Sequence, residues 1–248
     1  MAILLEGQQV CKNFGGLAAL LRVDFQIREG EILGLIGPNG AGKTTLFRCI
    51  TGVHPPTSGK ILFGGKEINK LTPHAICTLG ITNTHQVVKP FPEMTVLDNV
   101  RVGAFFGKGW SKGEVKDATK EAMRVLEFTG LAPKANFLAR QLTLPDRKRL
   151  EVARALATRP DLLLLDEVIA GLNPTETDMM IQLIRQLRDT GLTIFMVEHV
   201  MRAVLNVSDR LVVLNFGEKI AEGTPNEVAA NPQVIEAYLG KNYGMHNG

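Results

Sequence analysis

The stretch from Gly37 to Thr45, Gly-Pro-Asn-Gly-Ala-Gly-Lys-Thr-Thr, constrains the fold of this chain more than any other segment. An apolar run at 31–36 precedes it and a helical pattern at 46–51 follows it, which predicts a turn between a buried strand and a helix. Glycines let such a turn form a concave nest of N–H groups beside the positive end of the helix. That nest favours an anion, and Lys43 and Thr44 complete the pattern of a phosphate-binding loop. The alternative, a glycine-rich turn with a solvated lysine, is disfavoured by the two flanks.

The loop predicts specific contacts with a nucleotide. Lys43 is expected to reach the β- and γ-phosphates, and the Thr44 hydroxyl is expected to hold Mg²⁺. The predicted nucleotide-binding residues of the loop are Gly37, Pro38, Asn39, Gly40, Ala41, Gly42, Lys43, Thr44 and Thr45.

The composition is that of an ordinary globular protein of one large or two small domains, with 248 residues of which 45% are hydrophobic. Its net charge of +3 is spread along the chain and does not by itself indicate a nucleic-acid binder. The cysteines at 11, 49 and 77 have no metal-ligand spacing, so we expect reduced, buried thiols in the cytosol. With neither a signal-peptide pattern nor an apolar run of about 20 residues, work at a membrane would require another chain.

Strand and helix patterns alternate along most of the chain. Alternating residues up to Ile27 predict an antiparallel hairpin, with Phe14 just before its Gly-Gly bend. From 95 to about 140 the apolar period becomes helical, with a flexible joint expected at 107–109. Strands and helices alternate again further on, which predicts an α/β sheet followed by a last hairpin and two short helices at 225–239.

Polar residues follow several of the predicted strands. Asp166 closes an unbroken apolar strand, so its carboxylate is expected beside the phosphate loop, where it would hold Mg²⁺ through water. Glu167 comes next and could accept a proton from an attacking water. Gln86 and His199 follow other strands. Gln86 could contribute to the metal and water shell, and His199 could contact the γ-phosphate, although a lone Gln is more often solvated and a lone His more often structural.

Taken together, these residues resemble the nucleotide-binding subunit of an ABC transporter over nearly the whole chain. The 37–45 loop matches the Walker A motif, 162–166 the Walker B motif and Glu167 the catalytic glutamate. Gln86 matches the Q-loop and His199 the switch histidine, and Phe14 matches the aromatic residue that stacks on adenine. The resemblance implies a P-loop NTPase fold of the α/β class: an ABC cassette with a RecA-like mixed sheet core, an N-terminal antiparallel β subdomain and an α-helical subdomain.

The resemblance also implies one ABC domain over 1–248. Its catalytic core with the β subdomain would occupy about 1–94 and 158–223, its helical subdomain 95–157, and its C-terminal helices and tail 224–248. A finer similarity is to the LivG-type subunit of branched-chain amino acid importers, although importers of amides, urea or aromatic acids share its features. The segments that carry this similarity are 14–17, 91–100, 170–174 and 222–240.

What the resemblance implies for function is an ATP-hydrolysing importer subunit for branched-chain amino acids or a related amino acid, amide or organic acid. ATP and Mg²⁺ are the implied cofactors. The implied catalytic residues are Glu167, His199 and Gln86, and the implied metal residues are Thr44, Gln86 and Asp166. Such a subunit lies peripherally on the cytoplasmic face of the bacterial inner membrane. Its partners are permease subunits and, indirectly, an external solute-binding protein, with no nucleic acid.

Two other classes remain open on the sequence. A soluble ABC ATPase of nucleic-acid repair or translation usually carries a long coiled-coil insert or two fused cassettes, and this chain has neither pattern. A P-loop small-molecule kinase would share the 37–44 loop but has no reason to carry Gln86, Glu167 and His199 in this order.

One segment departs from the family pattern. Where the family has Leu-Ser-Gly-Gly-Gln, facing the γ-phosphate held by the opposite subunit, this chain has Leu-Thr-Leu-Pro-Asp at 142–146. Leu144 adds bulk, Pro145 removes a donor and Asp146 adds negative charge, all of which weaken anion binding. Thr143 and Asp146 instead suggest a helix start close to a capping box. We therefore expect an asymmetric dimer with a different ATPase subunit, although a homodimer is possible.

Overall fold

The computed structural model describes residues 2–84, 90–108 and 115–239. Its strands are β1 (Ile3–Phe14), β2 (Leu17–Arg28), β3 (Ile32–Ile36), β4 (Ser58–Phe63), β5 (Lys66–Glu67), β6 (Ile81–Asn83), β7 (Leu162–Asp166), β8 (Thr193–Val197), β9 (Arg210–Asn215) and β10 (Glu218–Gly223). Its α-helices are α1 (Lys43–Ile50), α2 (Pro73–Leu79), α3 (Val96–Phe106), α4 (Val115–Phe128), α5 (Leu144–Leu156), α6 (Pro174–Asp189), α7 (Met201–Val207), α8 (Pro225–Ala229) and α9 (Pro232–Leu239).

The chain folds into two compact units. The first unit combines 1–72 with 193–248, and the second comprises 73–192. The three-part division expected from the sequence, with a helical part at 95–157, remains a prediction.

In the first unit, an antiparallel sheet has the strand order β2-β1-β4-β5. Buried and exposed residues alternate along β2, as expected for a strand with one face on the core. Val23, Phe25 and Ile27 are buried, and the residues between them are exposed. The hairpin of β1 and β2 confirms the predicted antiparallel β subdomain.

A second sheet of the first unit is mixed and has the order β10-β9-β3-β8. β3 runs parallel to both β8 and β9, whereas β9 and β10 are antiparallel. Every residue of β3 and β8 is buried, as expected for parallel strands covered on both faces. The Phe195 ring of β8 stacks on Phe25 and packs against Phe47 of α1, and it thereby ties the two sheets and the helix into one core.

The second unit contains the parallel pair β6 and β7 and a helical cluster. Val100 of α3, Leu126 of α4 and Leu150 of α5 are fully buried in one apolar core, which confirms the helical period expected there. Helix α2 was not anticipated from the sequence. At the expected joint, Gly107 packs against Thr158, and the Lys108 N–H donates to the Thr158 carbonyl at 2.8 Å. Residue 109 lies outside the described residues.

The cysteines differ in part from the expectation of buried thiols. All three cysteines are free thiols, and only Cys49 is buried. Burial raises the pKa of the Cys49 thiol to about 11, so this thiol stays protonated at neutral pH. Across the part of the chain that the structure describes, no helix combines the length and apolar character needed to cross a bilayer.

Candidate nucleotide site

The glycine-rich loop joins the end of β3 to the start of α1, as the sequence predicted. Gly37 has a φ of 150°, and Gly42, the N-cap of α1, has a φ of 103°. A Cβ atom on Gly37 would lie 2.1 Å from the carbonyl oxygen of Leu214, and one on Gly42 would lie 2.7 Å from that of Ala19. Both positions require glycine because the neighbouring backbone approaches too closely for a side chain.

The side chain of Lys43 is held by the loop itself. Lys43 is buried, and its Nζ donates to the carbonyl oxygens of Gly37 at 2.6 Å and of Pro38 at 3.0 Å. The half-buried Thr44 and Thr45 follow it in the first turn of α1, which contains no acidic residue. This turn therefore offers N–H groups, a hydroxyl and a cation without a competing carboxylate, which suits a phosphate group.

His199 lies at the same edge of the sheet as the loop. It follows β8 by two residues and is exposed, and β8 pairs in parallel with β3, with Leu35 opposite Val197. Because parallel strands end at one edge, the first unit brings His199 and the start of the loop to the same side of the sheet.

Phe14 closes β1, and its ring is 42% exposed. The ring meets the imidazole of His54 edge-on, with centroids 5.3 Å apart, and the Lys12 ammonium lies 5.1 Å from its centroid. The ring therefore keeps exposed surface on which an aromatic base could stack.

The predicted carboxylates lie in the second unit, at the end of β7. Asp166 is buried, and its backbone N–H donates to the Thr84 hydroxyl at 3.0 Å. Thr84 follows β6, and its own N–H donates to the Leu164 carbonyl at 2.9 Å. These two bonds extend the β6–β7 pairing and fix the backbone that carries the Asp166 carboxylate. Gln86, two residues beyond Thr84, lies outside the described residues.

Glu167 has an unusual backbone conformation for a residue with a side chain. Its φ is +53°, in the left-handed region, and the residue is buried. The buried Lys148 of α5 donates from Nζ to the Glu167 carbonyl at 2.8 Å. A non-glycine residue held in this region costs roughly 1 kcal/mol and is concentrated at functional sites. The catalytic role of Glu167 remains a prediction, and its strained backbone is the feature that singles it out.

The degenerate segment at 142–146 forms the start of α5. Thr143 is the N-cap residue, but its side chain accepts no capping hydrogen bond. Its hydroxyl instead donates to the Asp146 carboxylate at 2.9 Å, so the expected capping box is not formed. Lys134 makes an ion pair with the same carboxylate, which is largely buried. The ion pair neutralises the charge of Asp146, so this residue should repel a phosphate less than the sequence suggested.

Sequence reasoning missed Thr84, which fixes the Asp166 backbone, and Lys148, which holds the Glu167 carbonyl. Thr84 stands two residues before the predicted Gln86, and this spacing was an available signal. No pattern marks Lys148, because a lysine in a helix is usually solvated and its partner is a backbone carbonyl 19 residues away.

The candidate metal ligands are few and are all oxygen donors. Among the described residues, no group of three or more His, Cys, Asp or Glu side chains could hold a metal ion. The candidate ligands Thr44 and Asp166 are oxygen donors, the type that Mg²⁺ prefers. Mg²⁺ usually completes its shell with substrate phosphates and water rather than with a protein cage. By its donor chemistry, each of these residues suits a magnesium ion that arrives with a nucleotide.

A glycine-rich loop between a parallel strand and a helix, with Lys43 and Thr44 at the helix start, defines a P-loop nucleotide-binding protein. The family model described as "ABC transporter" matches residues 20–170. A model described as "Branched-chain amino acid ATP-binding cassette transporter" matches residues 218–243. The chain belongs to the ABC transporter family and is an ABC-type ATPase.

Relatives and solved structures agree with this family. The branched-chain amino acid transport ATP-binding protein BraF of Pseudomonas aeruginosa is 41% identical over 96% of this chain and 98% of its own length. The branched-chain amino acid transport ATP-binding protein LivG of Salmonella typhimurium is 42% identical over 96% of this chain and 98% of its own length. The crystal structure of the ADP conformation of MJ1267, an ATP-binding cassette of an ABC transporter, superposes with a TM-score of 0.88 at 32% identity, covering 97% of this chain and 100% of that structure. The predicted family and fold class are thus confirmed.

Proposed function

We propose that this chain is the ATP-hydrolysing subunit of an importer for branched-chain amino acids or a related amino acid, amide or organic acid. The observation that carries the proposal is its identity of 41–42% to BraF and LivG over 96% of the chain. This likeness spans the phosphate loop, the carboxylates after β7 and the C-terminal segment.

The roles of the site residues follow from their chemistry. The 37–45 loop and Lys43 hold the phosphates of ATP, and Phe14 stacks on the adenine. Thr44, Asp166 and Gln86 hold Mg²⁺, which neutralises phosphate charge when bound. Glu167 accepts a proton from the attacking water, and a base positioned in this way typically contributes at least 10²-fold to the rate, as an order of magnitude. His199 contacts the γ-phosphate.

The segment at 142–146 favours a partner of different sequence. In a head-to-tail dimer, this segment would face ATP that is bound to the opposite subunit. Leu144 is 47% exposed, and Pro145 lies in the first helical turn, where a family glycine would offer an N–H to the phosphate. ATP on this chain would therefore be hydrolysed against a partner's intact signature, whereas ATP on the partner would turn over poorly.

Permease-dependent membrane binding tests the proposal. The chain is expressed with or without the permease proteins encoded beside it, and membranes are collected by sedimentation. We expect it to sediment only when the permeases are present, because no described helix could insert by itself. A chain that remained in the supernatant beside its permeases would contradict the proposal and favour a soluble ABC ATPase.

A further inference from the structure

The aromatic ring of Phe14 lies close to two neighbouring side chains and stays partly exposed. The imidazole of His54 meets the ring at an interplanar angle of 81°, with centroids 5.3 Å apart, which is a favourable arrangement for an aromatic pair. The Lys12 ammonium lies over the ring, 5.1 Å from its centroid. His54 is half-buried, whereas 42% of Phe14 is exposed. The ring is therefore restrained by its neighbours and still open to a ligand.

His54 belongs to the segment at 52–57, which joins helix α1 to strand β4. Its backbone N–H donates to the carbonyl of Arg48, in the last turn of α1, at 3.1 Å. The same helix begins with Lys43 of the phosphate loop. One short helix thus carries the loop at its start and holds His54 at its end.

The far end of the same segment is bonded to β1. The Thr57 N–H donates to the Cys11 carbonyl at 2.8 Å, and the Asn13 N–H donates to the Thr57 hydroxyl at 3.0 Å. The Lys12 ammonium also donates to the Pro55 carbonyl at 2.8 Å. Three consecutive residues of β1, directly before the exposed ring, are thus tied to this segment. The backbone that carries the ring and the imidazole beside it are held together by these bonds.

We propose that His54 is a positioning residue for the base of the nucleotide: its imidazole fixes the Phe14 ring, and its backbone bond to α1 holds that ring at a set reach from the phosphate loop. This inference rests on the nucleotide site of the proposed function and adds a residue outside the motifs that define that site. A free aromatic side chain would lose rotamer freedom when a base stacks on it, and a ring that is already held avoids this loss. His54 therefore raises the affinity for ligands that carry a base and not for phosphate groups alone.

The test compares two ligands in the purified full-length chain. Mg-ADP carries a base and Mg-pyrophosphate does not, and both are titrated by calorimetry, which needs neither hydrolysis nor a partner subunit. His54→Ala removes the imidazole, whereas His54→Phe keeps an aromatic ring at the same position. Val53→Ala, which shortens an exposed neighbouring side chain of the same segment, is the matched control.

We expect His54→Ala to raise the Kd for Mg-ADP about three- to tenfold, the range that one aromatic pair supports. The Kd for Mg-pyrophosphate should stay within twofold of the wild type. His54→Phe and Val53→Ala should bind both ligands like the wild type. An unchanged Kd for Mg-ADP in His54→Ala, or an equal weakening of Mg-pyrophosphate binding, would overturn the inference.

Phe14→Ala separates this inference from the proposed function. If His54 acts through the ring, replacing it in a chain that already lacks the ring should change the Kd for Mg-ADP less than twofold. The same three- to tenfold loss in both backgrounds would mean that His54 does not act through Phe14, and the inference would be wrong. Normal binding of Mg-ADP by Phe14→Ala itself would contradict the stacking role assigned under the proposed function, and with it the role of His54.

Discussion

At the scale of single residues, hydrogen bonds to backbone atoms hold the two acidic residues at the end of β7 in position. Asp166 is fixed through its N–H by Thr84, and Glu167 is held in the left-handed region with its carbonyl bonded to Lys148. Lys148 belongs to α5, the helix that begins with the degenerate signature segment. The signature helix and the proposed base are therefore joined within one subunit by a buried, charged hydrogen bond.

Replacing Glu167 with Gln should lower the ATPase rate of the assembled transporter by roughly 10²-fold or more, because the proposed base is lost while the side-chain shape is kept. Steady-state hydrolysis in the permease complex measures the change. Glu176→Gln is the matched control, since Glu176 caps α6 and glutamine serves equally in a capping box. Residual activity above about a tenth of the wild type would count against Glu167 as the base.

Replacing Lys148 with Met should lower the rate constant at saturating ATP by about tenfold, because the strained Glu167 backbone loses its charged donor. The affinity for nucleotide should change little. Arg147→Met is the control: Arg147 is adjacent on α5, and its guanidinium donates to the Arg140 carbonyl rather than to Glu167. If both variants kept the same rate constant, Lys148 would have no positioning role.

At the scale of elements, the departures from the family signature at the start of α5 differ in their expected effect on phosphate binding. Pro145 and Leu144 occupy the first turn, where the helix would offer N–H groups to a partner's phosphate. Asp146 is paired with Lys134 and bonded to Thr143, so its charge is already neutralised within the subunit. In the proposed dimer, the weaker phosphate binding of this segment would therefore come from residues 144 and 145.

The double substitution Leu144→Gly and Pro145→Gly should raise turnover at the second site of the assembled transporter about two- to tenfold, because it restores a donor and removes bulk. Turnover at this site is isolated by measuring hydrolysis in the Glu167→Gln background. Pro174→Gly is the control for a weakened helix start, since Pro174 also occupies a first turn. Adding Asp146→Gln should give little further gain. If the double substitution left turnover unchanged, the segment would not be the limiting defect.

At the scale of the whole molecule, the proposed residues divide between the two compact units. The phosphate loop, Phe14 and His199 belong to the first, while Asp166 and Glu167 belong to the second. Each unit has its own apolar core, centred on the mixed sheet in one and on the α3–α5 helices in the other. In the head-to-tail dimer proposed above, this chain would supply one part of each ATP site and its partner the other.

The sequence by itself determined the family, the loop and the order of nearly all strands and helices. These features are local: glycine spacing, unbroken apolar strands and helical periodicity are each written within a few residues. The ends of the helices and the short helix α2 were less predictable. A helix of only seven or eight residues is stable only when it packs against the rest of the protein.

Only the tertiary structure decided which distant groups meet. The ion pair between Lys134 and Asp146, the bond from Lys148 to the Glu167 carbonyl and the bond from the Gly217 N–H to the Ala41 carbonyl join residues 12 to 176 positions apart. Two of these contacts use backbone atoms, which every residue carries, so they cannot be predicted from residue type. The glycine-rich loop can thus be recognised from sequence, whereas its hydrogen bond to the turn between β9 and β10 requires the folded chain.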